Sequence, residues 1–367
     1  MTDSIPKMMR AFVLTGHGDM DRLVYHDDWP TPSPGPGEVL IRVHACGLNN
    51  TDVNTRTAWY SKGVTSGTTG GAFDSAADTD STWGGAQVTF PRIQGADMVG
   101  TVAAVGDGAD ASMIGRRVMV DTWLRDWNDP SNSAKCGYLG SEADGGFADY
   151  MAIDQRQVHA IDCVLSDAEL ATFATSWITA ENMLNRAAVG TGDRVLITGA
   201  SGGVGSALIQ LARRRGATTI AMASKDKHGP LREAGADHLL DRAPDNLAAA
   251  LAEATGRPDV SVVADIVGGD IWPSLIDVLE RGGRYTCAGA IAGPIVSFDL
   301  RTFYLRDLTF TGATVVPAGT FGDLVGYIAR GEVKPMLAAT YPLCDLHEAQ
   351  KAFIGKKHVG NIVVTME

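Results

Sequence analysis

Apolar and polar residues alternate with a period of two near the start of the chain. Met9 to Leu14 and Val39 to Ala45 read as strands separated by the turn cluster TPSPGPG, which predicts a β-rich module. Between Ser61 and Gln87 the periodicity fades into Gly, Ser, Thr and Asp. That predicts a long loop, and loops of this length inside domains tend to be lids or binding loops. From about Asp167 the rhythm changes to helix and strand in turn: the helical stretch ATFATSWITAENMLNRAA, the strand DRVLITG, a helix, the strand TTIAMA, the segment LREAGADHLL, then VSVVADIV and GGRYTCAGA. Strands alternating with helices predict a parallel sheet covered on both faces. The alternation weakens after about Asp307, and GNIVVTME predicts a last strand. The expected plan is α/β, with a doubly wound domain inserted between two parts of a β-rich one.

A length of 367 residues exceeds a single core and agrees with two domains. The formal net charge of -12 repels phosphates, so neither nucleic acid nor an anionic membrane surface is an expected partner. Five cysteines, scattered and without a C-x2-C pair, point to reduced thiols in the cytosol rather than to disulfides or a zinc knuckle. The N-terminus has no apolar signal region and no run of 18 apolar residues occurs, so no membrane span is expected.

The stretch TGASGGVGSALIQLARRRG, residues 198–216, admits two chemistries. Gly199, Ser201 and Gly203 match the G-x-S-x-G nucleophile elbow of a hydrolase, whereas Gly202, Gly203 and Gly205 could bring bare backbone against a dinucleotide pyrophosphate. Both need a strand, a turn and a helix. Val204, Ala207, Leu208, Leu211 and Ala212 supply the apolar face of that helix, and Gly216 its C-cap. The elbow also needs a histidine, yet His228, His238, His347 and His358 lie in no recognisable loop and no HGGG-type stretch precedes them. The dinucleotide reading asks for a ribose reader about 20 residues downstream. There TTIAMA is followed by Ser224, Lys225, Asp226 and Lys227, with no acid at the strand end itself. A hydroxyl and ammonium groups suit a 2′-phosphate, so NADPH is expected in preference to NADH. Ser201, Gly202, Gly203 and Val204 would face the pyrophosphate at the helix N-terminus. Gly268 and Gly289 follow strands at their carboxyl ends, where ligands collect in such sheets.

The run LITGASGGVGSALIQLARRRGA, the late GNIVV and the overall layout resemble the medium-chain dehydrogenase/reductase superfamily, in its zinc-free quinone oxidoreductase and enoyl reductase branch. The resemblance runs from about Met9 to Val364 apart from the loop at 61–87. It implies a GroES-like catalytic domain over 1–160 and 318–367, a Rossmann cofactor domain over 161–317, and a homodimer formed through the cofactor domain. In zinc-dependent members a cysteine opens one ligand motif and G-H-E carries another. Here Asn49 stands at the cysteine position and Ala96 at the histidine position, leaving Asp97 alone, and the four clustered cysteines of a structural zinc are missing. Cys46 reads as a strand residue, and a metal-free enzyme is expected.

The stretch GLNNTDVNTRTAWY is similar to the quinone oxidoreductase pattern at Asn49, Asp52, Arg56 and Tyr60. That implies Asn49 and Tyr60 as donors to a substrate carbonyl, with Asp52 and Arg56 pairing across one helical turn to brace them. Thr179 matches a threonine that faces the nicotinamide, Arg242 a position near the adenine, and Asn361 the place of a lysine in a closing GKIV motif. GGFADY matches a signature expected at the domain junction, and DTWLRDW reads as cleft lining or core, with core preferred. The expected activity is NADPH-dependent reduction of quinones or α,β-unsaturated carbonyls. The alternatives are a zinc-free alcohol or ketone dehydrogenase and a non-catalytic dinucleotide-binding protein.

Overall fold

The computed structural model describes residues 4–68 and 78–367, so the middle of the predicted 61–87 loop lies outside the described residues. Strand Met8–Leu14 is the centre of a three-stranded antiparallel sheet with Leu23–Pro30 and Arg92–Ile93. Strand Glu38–Gly47 is the spine of a seven-stranded sheet, pairing antiparallel with Asp97–Val105 on one side and with Tyr150–Asp154 and Asn361–Thr365 on the other. The late strands Leu337–Pro342 and Asn361–Thr365 thus return to the N-terminal module.

The second module is a sheet of six parallel strands in the spatial order His238–Leu240, Thr218–Met222, Arg194–Ile197, Val260–Asp265, Leu279–Cys287 and Thr309–Gly312. Every residue of Val260–Asp265 is buried, as a central strand covered on both faces requires. The order reverses between Arg194–Ile197 and Val260–Asp265, which opens a crevice beyond their carboxyl ends. The sheet gains its sixth strand at Thr309–Gly312, inside the region where the sequence rhythm had weakened.

Helix Gly203–Arg214 buries the predicted face of Ala207, Leu208, Leu211 and Ala212, and Gly216, at φ +79°, ends the turn. Val204 instead looks toward the crevice. Among the described residues, no helix is long and apolar enough to cross a membrane.

Candidate active site

The glycines of residues 199–205 have separate jobs. Gly199 turns the chain at φ +56° just after strand Arg194–Ile197. Gly202, the N-cap of helix Gly203–Arg214, has only the Gly199 carbonyl within reach of an added Cβ, at 3.6 Å, so its backbone is bare toward the crevice. A Cβ on Gly203 would lie 2.4 Å from Ser176 Oγ and 2.7 Å from Asn361 Nδ2, and one on Gly205 would lie 2.4 Å from the Gly199 carbonyl oxygen and 2.5 Å from Ala200 Cα. The turn therefore presses against both the strand it leaves and the returning C-terminal strand. The Gly360 amide donates to the Ser201 carbonyl at 2.9 Å and completes that contact.

A cleft of about 590 Å³ runs from this turn into the N-terminal module. Of the residues singled out in the sequence, Asn49 and Tyr60 line it from the catalytic side. Thr179, Ser201, Gly202, Gly203, Val204, Ser224, Lys227, Arg242, Gly289 and Asn361 line it from the cofactor side. Asp52, Arg56, Lys225 and Gly268 do not. Among the described hydrogen bonds none joins Ser201 Oγ to a histidine, so the elbow's base is missing.

The expected Asp52–Arg56 pair does not form. Asp52 is the third residue of helix Asn50–Arg56, and its carboxylate accepts from the Asn49 amide at 2.7 Å and the Gly95 amide at 3.3 Å. Arg56 is buried and turned away, donating to the Gly18 carbonyl at 2.9 Å and Gln350 Oε1 at 3.3 Å and lying 3.6 Å from Asp19. Helix capping takes the carboxylate toward the N-terminus while the guanidinium reaches the other way. Lys225 is a second correction: its side chain is 82% exposed, 4.0 Å from Asp241. Gly268, at φ +61°, belongs to a turn tied to Asp265.

Asn361 lines the cleft and also orders its wall. Its Nδ2 donates to Ser176 Oγ at 3.1 Å, and Ser176 Oγ donates to Asn49 Oδ1 at 3.4 Å. This chain fixes the Asn49 amide with its oxygen toward Ser176, leaving the buried Nδ2 without a hydrogen-bond partner. A second acid beside Asn49 is Asp97, whose Oδ1 accepts from the Thr175 amide at 2.8 Å and from the Thr175 hydroxyl, capping helix Ala174–Arg186. GGFADY steadies this region, with the Gly145 and Gly146 amides donating to the Ile93 and Gly95 carbonyls at 2.7 Å. Burial pushes the Asp97 carboxyl up to about 6, against the hydrogen bonds of Thr175 and the nearness of the Asn49 amide. Burial likewise raises Asp52 to about 7, and the Asp97 charge adds to the effect. Burial also raises the Tyr60 phenol, which faces the Thr51 and Asn54 side chains, and so keeps it a donor.

At the cofactor end, Lys227 Nζ donates to the carbonyls of Lys356 at 2.5 Å and His358 at 3.1 Å. Burial and the neighbouring Arg242 charge lower the Lys227 ammonium, while Asp226 opposes them. Sequence reasoning missed Lys356, which lines the same cleft, donates to Asn50 Oδ1 at 2.8 Å and lies 3.6 Å over the Phe353 ring. Burial and then Lys227 bring it down to about 7. Also missed was the aromatic wall of Trp59, Trp83 and Tyr138; Trp123, expected in the core, is buried and belongs to that wall as well. Trp123 stands edge-on to Trp83 at 5.0 Å and to Tyr138 at 5.2 Å.

Residues 203–330 match the family described as zinc-binding dehydrogenase, and residues 35–163 match the alcohol dehydrogenase GroES-like domain. A solved structure from Sinorhizobium meliloti 1021, provisionally assigned as an alcohol dehydrogenase, is 44% identical, with a TM-score of 0.89 over 99% of this chain and 98% of that one. The chain belongs to the medium-chain dehydrogenase/reductase superfamily. Its curated relatives include the quinone oxidoreductase of Homo sapiens, 24% identical over 98% of each chain. They also include the acryloyl-coenzyme A reductase of Sulfurisphaera tokodaii, 26% identical over 97% of this chain and 99% of that one. These relatives fall in the quinone oxidoreductase and enoyl reductase branch, to which the chain is similar, and the chain is an oxidoreductase of the superfamily.

The superfamily's zinc does not fit the residues present. Asn49 offers an amide, Ala96 a methyl group, Asp97 one carboxylate already bonded to Thr175, and Thr175 a hydroxyl. Zinc sites are built from about four thiolate, imidazole or carboxylate donors. Among the described residues no group of three or more His, Cys, Asp or Glu could hold a metal ion.

Proposed function

We propose that the protein is an NADPH-dependent, zinc-independent reductase of quinones or α,β-unsaturated carbonyls, working in the cytosol as a homodimer. The unpartnered Asn49 Nδ2, buried in a cleft continuous with the glycine turn, carries this reading. A bound NADPH would supply hydride to the electrophilic carbon. The chain's own part is to hold the substrate and receive the charge that collects on its carbonyl oxygen. Asn49 Nδ2 donates there; among the described residues no group meets it in hydrogen-bonding geometry, and its closest competitor is the Asp97 carboxylate. Reduction of a conjugated system spreads charge over several atoms and asks less of a Lewis acid than a simple ketone does.

The donor set supports a nicotinamide dinucleotide: bare backbone at Gly202 for the pyrophosphate, Thr179 and the Ile266–Val267 turn near the crevice, and Lys227 and Arg242 beyond Ser224. Two neighbouring cations, Lys227 beyond strand Thr218–Met222 and Arg242 beyond strand His238–Leu240, favour a 2′-phosphate. Arg242→Ala is expected to weaken NADPH binding by about 10- to 100-fold and leave NADH affinity within about twofold, as loss of one charged hydrogen bond does. Equal losses for both coenzymes, measured by fluorescence quenching, would mean the phosphate is read elsewhere. Strand Thr309–Gly312 leaves one edge of the cofactor sheet unpaired, and exposed Ile295, Leu300, Tyr304 and Leu305 lie in the adjoining segment, which supports dimerisation through this module.

The deciding experiment compares turnover of a quinone, an enone and a simple secondary alcohol, with metal content measured on the same sample. Faster enone or quinone reduction in zinc-free protein is the expected result; alcohol oxidation alone, or stoichiometric zinc, overturns it. A zinc-free alcohol or ketone dehydrogenase is the second reading, favoured by the alcohol dehydrogenase assignment of the Sinorhizobium protein.

A further inference from the structure

A chain of hydrogen bonds leads from the cleft into the buried carboxyl groups. Tyr138 lines the cleft, and its phenol oxygen lies 2.5 Å from Thr175 Oγ1. The Thr175 hydroxyl donates in turn to Asp97 Oδ1. Asp97 is fully buried, its Oδ2 meets no donor in hydrogen-bonding geometry although the Asn49 side chain lies close by, and among the described residues no cation pairs with it. The titratable groups facing it are Asp52 from helix Asn50–Arg56, Cys46 from strand Glu38–Gly47 and Tyr138 from strand Gly137–Tyr138. None of these supplies positive charge. A carboxyl so placed is stable neutral or as a lone anion held by Thr175, and the pair Asp52 and Asp97 resists carrying two negative charges.

Resting on the reductase reading above, we propose that Asp97 stores the proton of the reaction and delivers it through Thr175 and Tyr138 to the reduced substrate. Once the carboxyl carries a proton, all three groups are both donor and acceptor, so the chain can run outward. Tyr138 gives its phenol proton to the substrate carbanion and takes the Thr175 hydroxyl proton. Thr175 takes the carboxyl proton, and Asp97 is left as carboxylate. With hydride from the reduced coenzyme, the double bond gains two hydrogens and two electrons. Solvent entering after product leaves reprotonates Asp97 along the same path. Tyr138 is held for this work by its backbone amide, which donates to Glu142 Oε2 at 2.9 Å, and by Trp123. Thr175 sits at the Asp97-capped start of helix Ala174–Arg186. Tyr138 touches substrate and is the catalytic residue; Thr175 and Asp97 act through it.

The sign of the pH dependence follows. Reduction needs the carboxyl protonated, so kcat is full at acid pH and declines as pH rises through about 6, the value to which burial lifts Asp97. Thr175→Val breaks the chain while keeping side-chain shape. It is expected to lower kcat by about 10²-fold and remove the decline, with KM and NADPH affinity nearly unchanged; Thr175→Ser restores both rate and decline. Wild-type kcat and pH profile in Thr175→Val would overturn the proposal. Infrared titration of the full chain tests the store without any substrate. A protonated-carboxyl band should vanish as pH rises through neutrality, be reduced in Asp97→Asn and shift in Thr175→Val. If no carbonyl, quinone or alcohol is turned over, the reductase reading fails while a band that shifts in Thr175→Val keeps the proton store; an unshifted band refutes the store.

Discussion

Asn49→Ala is expected to lower kcat by about 10²- to 10³-fold, the size of effect seen when one preorganised donor to an oxyanion is removed. Asn49 Nδ2 is buried, with no partner in hydrogen-bonding geometry and only the Asp97 carboxylate close by, so most of its benefit falls on the charge that develops during reaction. NADPH affinity should stay within about threefold, because the bare backbone proposed to meet the pyrophosphate lies at Gly202, not at Asn49. The substitution also removes the residue before helix Asn50–Arg56, at a cost of about 1 kcal/mol. A thermal melt separates that loss from the catalytic one. Wild-type turnover in the variant would remove Asn49 from the reaction. Asn49→Asp should be slower still, since a third carboxylate would join Asp52 and Asp97 where negative charge is already costly.

Gly205→Ala is expected to damage both stability and coenzyme binding. The added methyl would lie 2.4 Å from the Gly199 carbonyl oxygen and 2.5 Å from Ala200 Cα, both backbone atoms that cannot swing aside. Helix Gly203–Arg214 must move away from the strand end. Overpacking of this kind costs about 1–3 kcal/mol, and the shift pulls the Gly202 and Gly203 amides off the pyrophosphate position. Dinucleotide affinity should fall by about tenfold or more. Calorimetry and coenzyme titration on the same preparation measure the two losses. Unchanged affinity would show that the helix N-terminus does not carry the phosphates. Gly202→Ala is the contrast, because its Cβ has open space and meets the ligand rather than the protein.

Much of this was legible along the chain because it is local. The strand, glycine turn and helix over 194–214 are written in consecutive residues, and so is the change of rhythm near Asp167. Asn49 and Tyr60 were found through family resemblance, and both line the cleft. The misses share a physical cause. Spacing of i to i+4 placed Asp52 and Arg56 on one helical face but carried no information on which end each charge would serve; the helix N-terminus claimed one, and Gly18 with Gln350 claimed the other. Lys225 and Lys227 looked equivalent until a tight 3₁₀ turn sent the first to solvent and the second to the carbonyls of Lys356 and His358. Thr175, Tyr138 and Lys356 come from distant segments, and only the folded sheets bring them near Asn49. One local clue was available: Lys356 stands five residues before the closing GNIVV strand, on the loop that strand pulls into place.

The amide of Asn49 is aimed by Ser176, and Ser176 is held by Asn361, so a donor made early in synthesis is oriented by a side chain made late. The coenzyme sheet can assemble from residues 194–312 before Asn361 leaves the ribosome. A nascent chain at that stage would hold the parallel sheet while the Asn49 amide still lacked the Asn361 end of its hydrogen-bond chain, which closes when the last strand docks beside Gly47.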